Sequence, residues 1–429
     1  MPPGSTKFIN LTGAGRKGQP FFSMQQNLLQ SNIREALLFD LFQAYYDARK
    51  NKRNTHSALA FELHYERELF RLCDEIISKR YQPRQSICFI VRKPVKREVF
   101  AADFRDRIIH HYIYNQIAPV FENRFINDSY SCRKKKGTHY GIKRVDHFLR
   151  SCSENYHRDC YILKIDIKGY FMSIDRSLLY EKVKSRLIKH AACVKGDLHT
   201  ILYLIRETIF NDPTHGCIMK CSRSEWKDLP ESKSLFHAGR NKGLPIGNLT
   251  SQLFANIYLD AFDHYVKRDL KIKYYGRYVD DVVIVHSDKS YLKAIVPEIR
   301  KNLLETLRLQ LHPKKIYLQH YTKGVSFLGA IIKPYRKYVA SRTKSNFYVA
   351  IMTYNSIIQK AIPEKSQIRQ FLISINSYLG IIRHYRTYRL REQMLRMRLS
   401  PSWWKYVYAK GRYEKFSAKK NRTLRVPSW

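Results

Sequence analysis

Two adjacent carboxylates, Asp280 and Asp281, follow Tyr278 and Val279 in an otherwise apolar run. The flanking residues 273–277 and 282–285 are rich in β-branched and aromatic types, which predicts two strands of a hairpin with the aspartates in its turn. Carboxylates held this close repel each other unless a cation lies between them. Carboxylates at such turns are common without a ligand, but two in succession beside a buried strand predict a metal site.

A third carboxylate, Asp166, lies in the segment 163–167, which is predicted to be a strand. Side chains alternate along a strand, so the apolar residues of this segment share one face and Asp166 lies on the other. If this strand neighbours the hairpin, the carboxylates converge as oxygen ligands for two Mg²⁺ ions. Such a pair would activate a 3′-hydroxyl and stabilise leaving pyrophosphate, which is nucleotidyl transfer. Asp280 is expected to bridge the ions, and Asp281 to support one ion or the primer end.

The charge of the chain predicts the class of its partner. Lysine and arginine number 78 against 36 acidic residues, which gives a formal net charge of +42 over 429 residues. Such a charge is too large for a merely solvated basic face and indicates a polyanion that neutralises it. Aromatic residues make up 13% of the chain, 31 of them tyrosine, and these can stack on bases. The predicted partner is nucleic acid.

The sequence lacks features of a membrane or secreted protein. No apolar stretch approaches the roughly 18 residues that span a bilayer, and the N-terminus has no signal-peptide core. Eight cysteines in a chain of this length do not indicate a disulfide scaffold, so we expect a reducing cytoplasm. Cys217 and Cys221 follow His215, but no second Cys/His pair lies at zinc-ligand spacing, and free thiols are the favoured interpretation.

The elements that must position the carboxylates are mixed helices and strands. The first 24 or so residues are predicted to be irregular, and residues 92–97 to form a basic turn. A loop is predicted at 242–252, and the chain after 335 is expected to be mostly helical. The further predicted helices are 24–77, 104–121, 253–266 and 291–309, with strands at 86–91 and 325–332 and mixed helix and irregular chain at 176–245.

Four segments in order resemble the motifs of a reverse transcriptase. They are Lys164–Phe171, Leu244–Gln252, Tyr278–Asp281 and Phe327–Gly329. The resemblance implies an α+β right-hand polymerase with fingers, a palm of antiparallel sheet and helices, and a helical thumb. It implies RNA-directed DNA synthesis from deoxynucleoside triphosphates on template RNA, through an RNA/DNA hybrid. The expected parts are an N-terminal helical extension with the start of the fingers (1–80), a fingers and palm core (81–335) and a basic thumb (336–429).

The resemblance also implies roles for single residues near the nucleotide. Phe171 corresponds to the aromatic gate that clashes with a ribose 2′-hydroxyl, although a ring there could also be core. Arg97 corresponds to the fingers arginine that grips the triphosphate, with a guanidinium suited to bidentate contacts. Lys315 corresponds to a palm lysine near the triphosphate. The adjacent Lys314 would take that position instead if the register is shifted by one residue. Gly247 would let the backbone approach the nascent base pair.

Further residues follow from the same resemblance. Ile167 joins the three aspartates in the metal-binding set. Arg105 and Arg107 are expected to contact nucleic acid, with structural ion pairing to Asp103 or Asp106 as the alternative. The remaining expected nucleic-acid contacts are the basic run Arg133, Lys134, Lys135 and Lys136.

One departure from the usual reverse transcriptase motifs indicates a particular subfamily. Most bacterial and retroviral reverse transcriptases carry Gln-Gly and then Ser-Pro in the second palm motif, whereas this chain has Ile246-Gly247 and Ser251-Gln252. This variant resembles the reverse transcriptases of diversity-generating retroelements, which copy a template-repeat RNA with errors at template adenines. The resemblance places Ile246, Gly247 and Gln252 at the nucleotide. It also implies a bacterial or phage origin and an accessory variability determinant, a small basic helical protein, as partner.

Two alternatives stay open at this point. A retron, group II intron-like or phage-defence reverse transcriptase would share the carboxylates, and a template repeat beside a variable repeat in the flanking DNA would separate these classes. From a different class, the chain could be an inactive nucleic-acid-binding protein on a polymerase scaffold. A primer-extension assay with Mg²⁺ and deoxynucleotides separates that alternative.

Overall fold

The computed structural model of the protein describes residues 19–50, 55–92 and 95–419. The described chain divides into two compact units, each built from two separate stretches. The first unit contains the described residues up to Phe125 together with Gly169–Asp260, and the second contains Ile126–Lys168 and everything described from Ala261 onward. The predicted boundaries of fingers, palm and thumb remain a prediction.

The described chain contains both helices and strands. The helices are α1 (Gln19–Arg49), α2 (His56–Glu62), α3 (Tyr65–Ile77), α4 (Phe104–Glu122), α5 (Thr138–Cys152), α6 (Tyr170–Ser173), α7 (Arg176–Lys189), α8 (Leu198–Phe210), α9 (Leu249–His264), α10 (Lys289–Leu307), α11 (Ser341–Lys360), α12 (Lys365–Ile382) and α13 (Tyr388–Glu392). The strands are β1 (Ile87–Val91), β2 (Arg97–Ala101), β3 (Tyr161–Asp166), β4 (Ile218–Met219), β5 (Tyr274–Tyr278), β6 (Asp281–His286), β7 (Tyr317–His320), β8 (Val325–Phe327), β9 (Ala330–Lys333), β10 (Arg336–Val339), β11 (Val407–Lys410) and β12 (Lys415–Ala418).

The first unit is mainly helical, with one small sheet. Strand β1 pairs antiparallel with β2 on one side and parallel with β4 on the other. Helix α1 packs against α3 and α4, and α7 packs against α8. Asp103 caps α4 by accepting a hydrogen bond from the backbone N–H of Arg105, which satisfies a donor that the first helical turn leaves free. Strand β2 is thereby connected directly to the start of a long, buried helix.

The second unit contains the four-stranded antiparallel sheet in the order β5-β6-β3-β7. Helix α5 covers one face, and the shared core includes Phe148, Ile162, Val283, Val285 and Phe327. This apolar layer lies on the same face of β3 and β6 as Asp166 and Asp281, because side chains two residues apart share a face of a strand. A separate sheet, β10-β9-β8, follows in the chain.

The last part of the second unit has its own core. Helices α11 and α12 pack together around Phe371 and Trp403, whose rings stack at 4.2 Å between centroids. The hairpin β11-β12 closes this core through Phe416, which is 1% exposed. The expectation of a mostly helical chain after residue 335 is therefore correct for α11–α13. It missed β10 and the hairpin β11-β12, whose strands are too short to give a clear period.

Two further expectations differ from the structure. Residues 19–24 belong to α1, so the irregular N-terminus was wrong there, and residues 1–18, like Lys93 and Pro94 of the basic turn, lie outside the described chain. Helix α9 begins at Leu249, inside the predicted loop. Its polar first turn is held by tertiary contacts, since Thr250 Oγ1 lies 2.7 Å from His110 Nδ1. The backbone N–H of Ala102 donates to Asn248 just before it, at 3.2 Å.

The helices and the cysteines of the described chain bear on the predicted compartment. None of the helices in the described residues is both long and apolar enough to cross a membrane. All eight cysteines are free thiols, in agreement with the absence of a disulfide scaffold. In the described chain, His215, Cys217 and Cys221 do not form a group that could hold a metal ion.

Candidate active site

The three aspartates meet at one end of the four-stranded sheet, within the second unit. Asp166 is the last residue of β3 and pairs in register with Asp281, the first residue of β6. Tyr278 pairs with Asp281, so the two-residue turn is Val279-Asp280. The backbone N–H of Ile167 donates to the carbonyl oxygen of Asp280 at 3.3 Å. The predicted pairing of the two strands is confirmed, but Asp281 belongs to the strand and not to the turn, and the joint binding of a metal ion by the three carboxylates stays a prediction.

Two lysines partly neutralise these carboxylates. Lys315 Nζ lies 3.0 Å from Asp166 Oδ2, and Lys164 Nζ lies 3.0 Å from Asp281 Oδ1. Burial, with the nearby charge of Asp166 next in size, raises the pKa of Asp280 to about 6. Burial also raises the pKa of Asp281, and the Lys164 ammonium opposes that rise. The site thus concentrates negative charge that its own cations compensate only in part.

The donor chemistry of this cluster fits a hard divalent cation. Carboxylate oxygens are the ligands that Mg²⁺ prefers, and a cation would favour the ionised form of Asp280, which burial and then the charge of Asp166 disfavour by raising its pKa. Ile167 could contribute only its backbone carbonyl oxygen, because an isoleucine side chain has no atom that can ligate a cation. As placed, no three Asp, Glu, His or Cys side chains of the described residues are arranged to hold a metal ion.

A buried ion pair supports the turn that carries Asp280. Arg277 Nε and Nη2 donate to the two oxygens of Asp263 at 2.7 and 2.6 Å, and both side chains are fully buried. Arg277 Nη1 also donates to the carbonyl of Val279 at 3.0 Å. Val279 has φ +56°, a conformation that costs a β-branched residue free energy. The arginine therefore holds a strained turn in place.

Sequence reasoning missed three of these supporting residues, Arg277, Asp263 and Lys164. An arginine inside an otherwise apolar strand, next to the carboxylates, was a signal that Arg277 needs a buried partner. Nothing in the sequence identifies Asp263 as that partner, because the two residues are separated by 14 positions and no local pattern connects them. Lys164 could have been found from the strand alternation that placed Asp166, since both residues lie on the same face of β3.

Phe171 and Ile246 lie together in the first unit. Both are partly buried and pack against one apolar cluster that contains Cys88, Phe100, Met172 and Leu235. The backbone N–H of Leu244 donates to the carbonyl of Phe171 at 2.8 Å, which ties the second palm motif to the first. The predicted gate and the residue that distinguishes the family variant are thus neighbours on a single cluster.

Gly247 occupies a position that only glycine fits. Its φ is +130°, and an added Cβ would lie 2.8 Å from Val99 Cγ1 and 3.0 Å from the carbonyl oxygen of Phe100. The neighbouring carbonyl of Ile246 accepts a hydrogen bond from the backbone N–H of Phe100 at 2.9 Å. The observed close approach is to β2, and an approach to the nascent base pair stays a prediction.

The other predicted nucleotide contacts are accessible. Arg97 is exposed on β2, and its side chain forms no ion pair with any residue that the structure describes. Gln252 is exposed on α9. In the second unit, Lys315 is the lysine that reaches Asp166, whereas Lys314 is exposed, so the geometry favours Lys315 for the predicted palm lysine.

The side chains predicted to contact nucleic acid differ in their exposure and in whether they already bind other protein groups. Arg105 is 4% exposed and forms ion pairs with Glu75 and Asp106, as in the ion-pairing alternative. Arg107 Nε donates to the carbonyl of Ala102 at 2.9 Å. In the basic run, two residues are held by carbonyl groups and two are exposed, and a nucleic-acid role stays a prediction for all of them. Arg133 donates to Ile126 and Ser129, Lys136 donates to Asn127, and Lys134 and Lys135 are exposed.

If Phe171 is the gate, Phe171→Ala should admit ribonucleotides. Loss of the ring removes a steric barrier of the kind that supplies roughly 10- to 200-fold discrimination, so we expect preference for deoxynucleotides to fall by about that factor. Single-nucleotide extension with each nucleotide type measures it. Phe210→Ala, which removes a partly exposed ring at the end of α8, is the matched control. Continued exclusion of ribonucleotides by Phe171→Ala would assign the ring to the core.

Comparison with known proteins identifies relatives of the chain. Residues 93–332 match the family model described as reverse transcriptase (RNA-dependent DNA polymerase). Protein YkfC of Escherichia coli (strain K12) is 26% identical over 316 residues, which are 65% of this chain and 73% of that protein. The COX1/OXI3 intron 2 protein of Saccharomyces cerevisiae is 20% identical over 318 residues, which are 64% of this chain but only 34% of that protein.

Solved telomerase structures are similar to parts of the chain at low sequence identity. The apo telomerase of Candida tropicalis, truncated from its C-terminal domain, gives a TM-score of 0.42 at 14% identity and covers 58% of this chain and 53% of that one. The telomerase of Candida albicans in complex with a TWJ fragment of telomeric RNA gives 0.42 at 13% identity, with 77% and 63% covered. The family assignment does not depend on these structures.

The family match covers more than half of the chain and includes every motif that positions the three aspartates. Helices combined with antiparallel sheets agree with the predicted α+β right-hand polymerase class. The chain therefore belongs to the reverse transcriptase family, and its enzyme class is that of an RNA-dependent DNA polymerase.

Proposed function

We propose that this enzyme copies a template-repeat RNA into cDNA with frequent errors at template adenines, so that the cDNA can overwrite and diversify a target gene by mutagenic retrohoming. The observation that carries this proposal is the pair Ile246-Gly247 and Ser251-Gln252 in the second palm motif of a reverse transcriptase. The proposal includes two Mg²⁺ ions, deoxynucleoside triphosphates and an RNA template as ligands.

In the proposed reaction, the 3′-hydroxyl of the primer attacks the α-phosphate of the incoming nucleotide and pyrophosphate leaves. Asp166, Asp280 and Asp281 would hold the two divalent cations, which lower the pKa of the hydroxyl and stabilise charge on the leaving group. Lys315, now 3.0 Å from Asp166, is a cation that could turn to the triphosphate. Arg97 presents an exposed guanidinium suited to phosphate oxygens.

Ile246 offers a physical reason for error. Its side chain packs against an apolar cluster and carries no hydrogen-bonding group. A glutamine at this position could hydrogen-bond a templating base or incoming nucleotide, and a site that makes such bonds rejects partners that leave them unmade. With isoleucine, a wrong pair loses less free energy relative to a correct one. We infer that this difference contributes to misincorporation.

We expect Ile246→Gln to lower misincorporation opposite template adenines by about tenfold, the change produced by roughly 1.4 kcal/mol of added discrimination. Copying a defined RNA and sequencing the products measures the rate opposite each template base. Ile246→Leu is the control, because it keeps an apolar side chain against the cluster and should retain the wild-type error. If Ile246→Gln leaves the error at adenines unchanged, this residue is not part of the explanation.

A second candidate is a group II intron-like reverse transcriptase, which the similarity to an intron 2 protein favours. Both candidates predict primer extension on RNA, but only the first predicts errors concentrated at adenines. The same sequencing experiment on the wild-type protein therefore distinguishes them. Uniformly low error across all four template bases would favour the intron-like function.

The proposed retroelement function also implies an accessory variability determinant that binds the polymerase. Such a partner is basic, and so is this enzyme, with a formal net charge of +42. Two basic surfaces repel each other, so RNA between them or a local acidic patch must supply the attraction. Co-purification before and after ribonuclease treatment separates these two modes of association.

A further inference from the structure

Glu98 is a buried carboxylate that the polymerase motifs do not include. It is 1% exposed, lies on β2, and forms no ion pair with any described residue. Three donors surround it: Trp226 Nε1 at 2.6 Å, Ser234 Oγ at 2.7 Å and the backbone N–H of Leu235 at 2.6 Å. A carboxylate is expensive to bury, and donors this close compensate the lost hydration.

All three donors belong to one stretch, residues 222–238, which we call the covering segment. Its described backbone consists of short 3₁₀ turns connected by irregular chain, so it has no regular hydrogen-bonded framework of its own. Other contacts attach it to the β1-β2 hairpin, including an ion pair of Arg92 with Glu225 and a bond from Lys96 to the carbonyl of Lys227. These two are at the exposed surface, whereas Glu98 holds the segment from inside.

The covering segment reaches the residues predicted to contact the nucleotide. Leu235 belongs to the buried cluster against which Phe171 and Ile246 pack, and Trp226 packs on the same cluster. Phe236 contacts Phe100 with ring centroids 5.5 Å apart. The segment therefore forms one wall of the environment of Phe171 and Ile246.

A second contact joins the covering segment to the turn before Phe171. A Cβ on Gly169 would lie 2.6 Å from the carbonyl oxygen of Ser232. Gly169 caps the short helix α6 that carries Phe171. A displacement of the segment would thus be transmitted to the helix of the predicted gate as well as to its apolar support.

Glu98 is also adjacent to Arg97, on the opposite face of the same strand. Arg97 is exposed and Glu98 is buried, as the alternation of β2 requires. The hydrogen bonds of Glu98 hold one face of β2 against the covering segment. They thereby restrict the rotation of the strand that presents the Arg97 guanidinium.

We propose that Glu98 is a positioning residue for nucleotide selection. By holding the covering segment, it fixes the place of Phe171 and Ile246 on one face of β2 and of Arg97 on the other. This inference rests on the proposed function, in which those three residues contact the incoming nucleotide. Glu98 touches neither the nucleotide nor the reacting atoms, so it acts through its neighbours.

The test is Glu98→Gln, which keeps the shape but places an amide NH2 among three donors. One or more donors then lose their acceptor, and the segment is released from β2. In single-nucleotide extension on an RNA template we expect KM for the deoxynucleotide to rise about fivefold or more, with kcat within about threefold. Preference for deoxy- over ribonucleotides should fall by about tenfold, and the emission of Trp226, identified by difference from Trp226→Phe, should change.

A matched control separates positioning from general destabilisation. Phe416→Leu weakens the core around Trp403 in the second unit, whereas the covering segment belongs to the first unit, and the two variants can be compared at a temperature where both are equally folded. It should leave KM and ribonucleotide exclusion unchanged. Trp226→Phe keeps an aromatic side chain but removes one of the three donors, so it should give a smaller effect in the same direction as Glu98→Gln.

The possible outcomes test the positioning role of Glu98 separately from the proposed function. Wild-type KM and wild-type ribonucleotide exclusion in Glu98→Gln, from an active wild-type enzyme, would overturn the positioning role alone. Equal losses in Glu98→Gln and Phe416→Leu would also overturn it, because a merely structural role predicts that result. A wild-type protein that extends no primer on RNA would overturn the proposed function, and the inference with it.

Discussion

Asp280→Asn is expected to reduce the rate of cDNA synthesis by at least about a thousandfold, because the amide is a poor ligand for the divalent cations that stabilise the transition state. RNA binding should remain within about twofold, since one carboxylate changes little in a chain with a formal net charge of +42. Primer extension and a filter-binding titration at the same salt concentration measure the two properties.

The control for this substitution is Asp288→Asn in the same unit. Asp288 is exposed and caps α10, and asparagine caps helices as well as aspartate does. It should leave both RNA binding and synthesis near wild type. If Asp280→Asn retained synthesis within tenfold of wild type, the assignment of Asp280 to the metal site would be wrong.

Asp280→Asn should also be more stable to unfolding than the wild-type protein in EDTA at neutral pH. The pKa of Asp280 is about 6 in the folded state against an ordinary value of 3.8, so the folded state binds more protons between these values. Wild-type stability therefore falls as pH rises through this window and stays lower above it. The upper limit is about 3 kcal/mol, and partial exposure of the side chain reduces our expectation to about 1–2 kcal/mol.

Urea unfolding at pH 4 and pH 7.5 measures this difference. Asp280→Asn should gain little at pH 4, near the lower end of this window, where the folded wild-type carboxyl is protonated, and it should show its full advantage above pH 7. An advantage that is equal at both pH values would mean that charge at Asp280 is not the cause.

Asp263→Ala is expected to destabilise the protein by about 3–5 kcal/mol, which is the usual result of leaving one partner of a buried ion pair uncompensated. Arg277 and Asp263 are both 0% exposed, and Tyr275 also donates to Asp263. A loss of this size is a large part of the stability of a typical domain, so part of the protein should be unfolded at 37 °C. Thermal and urea unfolding measure the loss.

Two comparisons define the origin of that loss. Removing the exposed pair Arg158 and Glu154, whose side chains are 73% and 58% exposed, should cost less than about 1 kcal/mol. The double variant Arg277→Met with Asp263→Leu should recover much of the stability, because no buried charge remains. Its synthesis should stay low, since the bond from Arg277 to Val279 is missing. A fully active double variant would show that this bond does not position the turn.

Much of the catalytic cluster could be predicted from the sequence because its signals are local. The alternation of β3 placed Asp166 opposite its apolar neighbours, and the apolar runs around Asp280 predicted a hairpin. Ordered motifs then connected these segments, although they are far apart in the chain. Each of these inferences needs only the period of a strand or the identity of a few adjacent residues.

Local signals failed where long-range contacts decide the structure. The turn proved to be Val279-Asp280 because Tyr278 pairs with Asp281, and the β5-β6 register is set by packing of both strands into the core. Helix α9 starts early because Asn248 and Thr250 have partners on the first unit's β2-α4 connection and α4. Their polar side chains look like a loop in the sequence, since the sequence does not show those partners.

The sequence by itself determined the family, the three carboxylates and the partner class, because residue identity and charge carry that information directly. Only the tertiary structure decided which residues hold the site in shape. These partnerships join separate stretches of chain: Arg277 pairs with Asp263, Asp281 pairs with Lys164, and Glu98 accepts hydrogen bonds from the covering segment. The physical reason is that a buried charge needs a partner at hydrogen-bond distance, and which residue supplies it depends on how the chain packs.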